Sequence, residues 1–155
     1  MSSGLIHYKY YMKGYREALP ISVAFSCANP KFGAGYLLGY SFGRYCSPDW
    51  DLMGVTGDEG RMVNELKVIG HILFGMSSAY GSMFRRHHRS WFTHFPYIST
   101  IGRLALILAL PVAIADSWGI NLIGEGWHML WLGIWAGLGH ADTIHFYLDV
   151  YPRVD

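Results

Sequence analysis

The sequence predicts an all-α, membrane-associated chain: two antiparallel helical hairpins forming a four-helix bundle, plus one amphipathic surface helix. Three observations carry this expectation. No segment shows the apolar/polar alternation of a half-buried strand. Hydrophobic residues make up 52% and charged residues only 15%, against about 25% charged in an average soluble chain. Aromatic residues reach 16%, including six Trp and eleven Tyr, side chains that favour the membrane–water interface. The mean hydropathy of +0.19 is high for a soluble domain and low for a simple membrane bundle, as expected for a bundle with polar groups in its interior. With 155 residues the chain suits one domain, 1–155.

Residues 5–26, LIHYKYYMKGYREALPISVAFS, read as a helix interrupted near Pro20. CANP then reads as a turn, because Asn29 precedes a proline and is biased away from helix. Residues 31–45, KFGAGYLLGYSFGRY, read as a second helix. Gly35, Gly39 and Gly43 repeat at the spacing that lets membrane helices approach closely. SPDWD stops this helix at Pro48. Residues 52–63, polar and glycine-containing, are expected to be loop. Residues 64–84 are amphipathic and predict a helix lying along a surface. Residues 104–115, LALILALPVAIA, are the most apolar run, extendable to Ile123. About 20 residues are needed to cross a bilayer, so this run spans only if Asp116 and Asn121 face protein or interface. Residues 127–150 predict a last helix that ends in His140, Asp142, His145 and Asp149.

RRHHRSWFTH, residues 85–94, concentrates basic and imidazole side chains just before the most apolar run. With Arg103, the arginines Arg85, Arg86 and Arg89 read as a cytoplasmic-side anchor under the positive-inside rule. The stretch is short and sits in no nucleic-acid motif, so no nucleic-acid partner is expected. Cys27 and Cys46 are the only cysteines and read as buried small residues. No early apolar stretch of a secretory signal is visible, and the expected location is the inner (cytoplasmic) membrane, with the polar cluster on the cytoplasmic side.

Four polar clusters stand out: His7; Asp49 with Asp51; His88 with His94; His145 with Asp149. A hairpin of residues 5–26 and 31–46, each arm roughly 24 Å or more at ~1.5 Å per residue, returns Asp49 and Asp51 to the end that holds His7. A second hairpin leaves after His94, turns near INLIGEG and returns to His145 and Asp149. Two such hairpins side by side gather the polar residues at one pole. His145 and Asp149, at i and i+4, share a helix face. Carboxylates mixed with imidazoles and no thiolate suit Zn²⁺ best, with Mn²⁺ or Fe²⁺ also fitting, ahead of Ca²⁺ or a cysteine-type structural zinc. Arg89 is placed to clamp an anionic group such as phosphate.

The blocks GYLLGYSFGRYCSPDWDL, HHRSWFTHFPYISTIGRL and HADTIHFYLD resemble a family of small metal-binding proteins of unknown function related to the membrane-bound metal-dependent hydrolases. Its hallmarks are an N-terminal His, a PDxD after an apolar helix, an HRxxTH-like block and a final HxxxD. The resemblance runs from about His7 to Asp149, with the blocks in the family's order. One departure is Tyr8, where the family often has an acidic residue after the early His. The resemblance implies His7, Asp49, Asp51, His88, His94, His145 and Asp149 as the ligand set, more than the four of a single zinc, so two metals or several outer-sphere groups.

The function expected is a divalent-metal-dependent hydrolase of a phosphate- or lipid-like ester. Asp51 or Asp49 would serve as general base and Arg89 would stabilise developing negative charge. Membrane lipids and a lipid-like or small-molecule substrate are the expected partners, with a homo-oligomer or larger membrane assembly allowed. Two alternatives stand beside this. The cluster pins the hairpins together in a scaffold subunit without catalysis, or it binds no metal and contacts partners or pigments. Residue by residue, the plain readings are a surface role for His87 or His88, a core hydrogen bond for His94, a turn cap for Asp49 and a helix-surface pair for His145 and Asp149. His71, His128 and His140 read as structural, with His128 beside Trp127 and Trp131 as an interfacial anchor.

Overall fold

A computed structural model describes residues 4–46, 57–84, 95–124 and 126–150, without the side chains of residues 4–8 and 57–59. The described elements are helical throughout: α1 (Gly4–Ala28), α2 (Pro30–Gly43), α3 (Gly57–Phe84), α4 (Ile98–Ser117) and α5 (His128–Val150). No strand occurs among the described residues.

The α1–α2 turn forms as the sequence suggests. Asn29 is extended at φ −152°, and its side chain accepts the Phe32 amide at 3.1 Å, with Pro30 in the first turn of α2. Proline fits that position because its missing N–H would have had no helical partner. The two helices then run antiparallel. Ser22 Oγ donates to the Gly33 carbonyl at 2.9 Å, and Tyr40 OH donates to the Tyr11 carbonyl at 3.0 Å. The expected interruption at Pro20 does not occur, and α1 continues through it. These contacts grip α1 on both sides of the proline, and tertiary packing outweighs the single lost backbone hydrogen bond.

The centre of the molecule is the contact of α2 with α5, and these helices run parallel. A Cβ added at Gly35 or Gly39 would collide with the backbone carbonyls of Leu130 and Ile134, and one at Gly43 with the Ala141 side chain. The relation is reciprocal. A Cβ at Gly133 or Gly137 would strike the carbonyls of Phe32 and Tyr36. Glycine is required here for close backbone approach, the role that small residues at four-residue spacing serve between membrane helices. The α2 stripe is legible in the sequence, and Gly133 and Gly137 on α5 match it at the same four-residue spacing.

α4 runs antiparallel to α5. At one end Trp131 Nε1 donates to the Leu122 carbonyl at 2.6 Å, and at the other the Phe95 and Phe146 rings lie 6.1 Å apart. Entry into α4 passes through Tyr97 at φ 67°, an unusual conformation for an aromatic residue. Its carbonyl accepts Trp135 Nε1 at 3.0 Å, and its ring occupies the space that a Cβ on Gly139 would need.

α3 begins earlier than expected, so residues 57–63 are helix and not loop. Met62 explains this. It is wholly buried in a cluster with Cys46, Leu73, Tyr80 and Leu138, and that burial overrides a polar, glycine-containing segment. The helix is broken at Lys67 (φ 51°, ψ −120°), and a Cβ at Gly70 would meet the Met62 carbonyl across the break. Beyond it Val68, Ile69 and Ile72 are exposed while Leu73 and Tyr80 are buried, the two faces expected of an amphipathic surface helix.

Charge is unevenly divided along the bundle. Residues 18–43 and 104–141 contain only three charged residues: Lys31, Asp116 and Glu125. The helix pairings bring these stretches together in one half of the bundle, which ends at the α4–α5 turn and is called here the far pole. Trp118, Ile120, Ile123 and Trp127 are exposed at that turn. α4 is the one described helix long and apolar enough to cross a membrane by length and composition, and only 22% of its most apolar window is buried. A core helix of a soluble protein would be mostly covered.

Candidate functional site

The opposite pole is where the chain ends of four helices meet: the start of α1, the end of α2 at Cys46, the start of α4 after Phe95, and the last turns of α5. Of the seven candidate ligands, the structure describes the side chains of two, His145 and Asp149. They lie on one face of α5, largely buried, with Nε2 and Oδ2 3.2 Å apart. The helix geometry expected for an i, i+4 pair is therefore present. Asp49, Asp51, His88, Arg89 and His94 lie outside the described residues, as does the side chain of His7. Among the described residues no group of three or more His, Cys, Asp or Glu side chains could hold a metal ion.

One turn inside this pole sits a polar cluster that sequence reasoning missed. Arg103 is fully buried and Asp142 is 1% exposed. Arg103 Nη2 donates to Asp142 Oδ2 and, at 3.3 Å, to Ser99 Oγ; Nη1 donates to the Cys46 carbonyl; Thr100 Oγ1 donates to the same carboxylate oxygen. Arg103 therefore does not anchor the protein to lipid headgroups with Arg85, Arg86 and Arg89. It ties the end of α2 to α4 and α5. The signal that could have found it is the charge itself. An arginine entering the most apolar helix must be paired or surface, and Asp142 is the one acidic residue of α5 placed to meet it. Asp142 lies three residues before His145, so the face that carries the candidate ligands is fixed from beneath by an ion pair.

Cys46 closes the same layer. Burial, with help from the Asp142 carboxylate and against the Arg103 guanidinium, pushes its thiol up to about 12, so it is neutral at physiological pH and inert. Cys27, expected to be buried, is exposed near the α1–α2 turn. Its neighbours along α1, Val23, Ala24 and Phe25, are exposed as well, so it belongs to the uncovered apolar surface.

The three histidines read as structural lie outside this cluster. His140 is half-buried, with Nδ1 2.5 Å from the Tyr36 hydroxyl. His71 is exposed, with Nδ1 2.9 Å from the Lys67 carbonyl. His128 stands exposed beside Trp127, which is itself exposed.

An apolar groove of about 130 Å³ lies on the flank of α2, α4 and α5. Leu38 and Phe42 of α2, Leu104 and Ile107 of α4, and Trp131 and Leu138 of α5 form its walls, and Cys46 closes its near-pole end. The polar atoms of this lining are accounted for: Trp131 Nε1 is hydrogen-bonded to Leu122, and the Cys46 thiol is neutral.

Set against known protein families, curated proteins and solved structures, the chain matches none.

Proposed function

We propose that this is a membrane-embedded four-helix protein that binds divalent metal, zinc before manganese or iron, at its near pole and hydrolyses a phosphate- or lipid-like ester there. The observation that carries the reading is the convergence of chain ends. Asp49 follows Cys46 by three positions, and His94 is bonded to Phe95. Three residues of extended chain reach roughly 11 Å at most. Cys46 and Phe95 adjoin the layer of Arg103 and Asp142, one to two turns of α5 from His145 and Asp149.

In this reading His7, Asp49, Asp51, His88, His94, His145 and Asp149 supply the ligands and outer-sphere groups. A bound divalent ion would supply Lewis acidity and lower the pKa of a water. Asp51, or Asp49, would serve as the general base. Arg89 orients the anionic group of the substrate and offsets charge developing on it. The Arg103–Asp142 pair keeps the α5 face in register with the end of α2.

Membrane embedding rests on the nearly charge-free half of the bundle, its exposed tryptophans and the uncovered apolar surface of α4. Lys9, Lys13 and Arg16 of α1 and Arg44 after α2 belong to the near half, against Lys31 alone in the far half, and this asymmetry supports a near pole on the cytoplasmic side of the inner membrane. The test is elemental analysis of protein purified without chelators, in the wild type and in His94→Ala, Asp49→Ala and His145→Ala. Metal in the wild type with loss in the variants is expected, and undiminished stoichiometry in all three refutes the site. If metal is present but its removal unfolds the protein, and no ester is turned over, the scaffold reading replaces the hydrolase.

A further inference from the structure

We propose that the outer face of α1 binds an anionic phospholipid, with the headgroup phosphate among Lys9, Lys13 and Arg16 and an acyl chain along Pro20, Val23 and Cys27. This assignment rests on the membrane embedding proposed above and names the class of lipid that the near half selects. It uses none of the candidate metal ligands.

Register comes first. Lys9, Lys13, Arg16, Pro20, Val23 and Cys27 follow one another at intervals of three or four residues, so they form one line along the helix. All six are exposed, while Tyr11, Gly14, Ala18 and Ser22 on the opposite side of α1 are buried. The first three members of the line are cations and the last three carry no charge. The change falls within about one turn, between Arg16 and Pro20.

The cations are also unpaired. Among the described residues, Lys9, Lys13 and Arg16 make no ion pair and no side-chain hydrogen bond. Together with Tyr10 and Met12 they line one surface recess. Arg44 and Lys31 differ from them: Arg44 is held by Glu65, and the Lys31 ammonium donates to the Gly126 carbonyl at 2.5 Å. Three free cations around one recess complement a phosphate, which accepts charge-assisted hydrogen bonds from ammonium and guanidinium alike.

Direction and length complete the match. Side chains on a helix lean toward its N-terminus, which for α1 is the near pole. The charged heads of Lys13 and Arg16 therefore lean away from the apolar half of the line. From Arg16 to Cys27 the line runs eleven positions, roughly 16 Å at ~1.5 Å per residue, about half of a ~30 Å hydrocarbon core. A lipid of one leaflet thus meets cations at its head and apolar surface along its chain. A nucleic acid or an acidic protein would satisfy the cations and leave Pro20, Val23 and Cys27 uncovered.

The experiment uses the full chain reconstituted in phosphatidylcholine bilayers that carry a trace of spin-labelled phosphatidylglycerol or spin-labelled phosphatidylcholine. The fraction of each label immobilised by the protein, read by electron paramagnetic resonance, gives the preference between the two. Phosphatidylglycerol is expected to be favoured. Lys13→Gln and Arg16→Gln should each lower the preference, by up to about fivefold at low ionic strength, and the triple variant Lys9→Gln/Lys13→Gln/Arg16→Gln should abolish it. Lys31→Gln, which removes the same charge at the far pole, should leave it unchanged. A preference that survives the triple variant, or that falls as far in Lys31→Gln, overturns the assignment. So does a preference erased by millimolar inorganic phosphate at constant ionic strength, which would make the recess a site for a bare anion. Equal immobilisation of both labels refutes the anionic lipid and leaves the embedding standing. No immobilised label of either kind sinks the embedding and this assignment with it. Metal content is read separately, because none of these variants alters a candidate ligand.

Discussion

Removing one member of the Arg103–Asp142 pair should strand a buried charge, so that the loss in the double variant falls well short of the sum of the two single losses. The guanidinium is fully buried and the carboxylate is 1% exposed, so solvent screening does not dilute the interaction as it would at a surface. In Asp142→Leu the arginine keeps only Ser99 Oγ and the Cys46 carbonyl as partners, and Thr100 loses its acceptor. In Arg103→Met the carboxylate keeps only Thr100. Breaking a buried pair by deleting one side costs about 3–5 kcal/mol, because a desolvated charge is stranded. At roughly 2–4 °C of melting temperature per kcal/mol for a chain of this size, each single variant should melt about 6–20 °C below the wild type. The double variant Arg103→Met/Asp142→Leu strands no charge and leaves only neutral groups, Ser99, Thr100 and the Cys46 carbonyl, without these partners, about 1–3 kcal/mol each at most. It should melt above at least one single variant. The assay is thermal unfolding in detergent, arranged as a double-mutant cycle. Single variants within about 3 °C of the wild type, or a double variant whose loss equals the sum of the two, would refute the claim that this pair joins α2, α4 and α5.

Gly39→Ala and Gly137→Ala should each cost about 1–3 kcal/mol by overpacking, because the new methyl meets a main-chain carbonyl that cannot rotate away; Gly75→Ala, where nothing lies within 4 Å of the added Cβ, should be neutral or mildly stabilising, and equal effects at all three positions would contradict the parallel α2–α5 contact. A maleimide should modify one equivalent of thiol on the folded protein, Cys27, and a second only after unfolding; two equivalents under native conditions would show that Cys46 is not sealed in. The same thiol makes stability depend on pH. Its folded pKa of about 12 lies above the ordinary value of 9.0, so the unfolded chain releases this proton first and stability should fall as pH rises from about 9 toward 12. Cys46→Ala should lack that component of the fall, measured by denaturant unfolding across the alkaline range.

Much of the helix layout was written in the sequence, because it depends on local chemistry. Asn29–Pro30 defines the first turn, the Gly35/Gly39/Gly43 stripe marks a close-packed face, and the run from Leu104 to Ala115 lies within one long apolar helix. The local rules failed where a distant contact overrode them. Pro20 does not break α1, because α2 grips the helix on both sides. Residues 57–63 are helical because Met62 is buried against Cys46 and Leu138.

For the candidate site, the sequence alone determined which residue types are available and which of them share a helix face: His145 with Asp149, and Asp142 one turn before. Tertiary structure alone decided the rest. Arg103 reads as a membrane anchor until Asp142, thirty-nine residues away, is seen to neutralise it. The parallel course of α2 and α5 shows only once Gly133 and Gly137 face the carbonyls of α2. Spacing along a chain fixes which side chains a single helix presents together, but partners across helices are chosen by packing, which has no local signature. The gathering of chain ends at one pole was expected from the two hairpins, and packing across helices realises it; on it the functional reading stands.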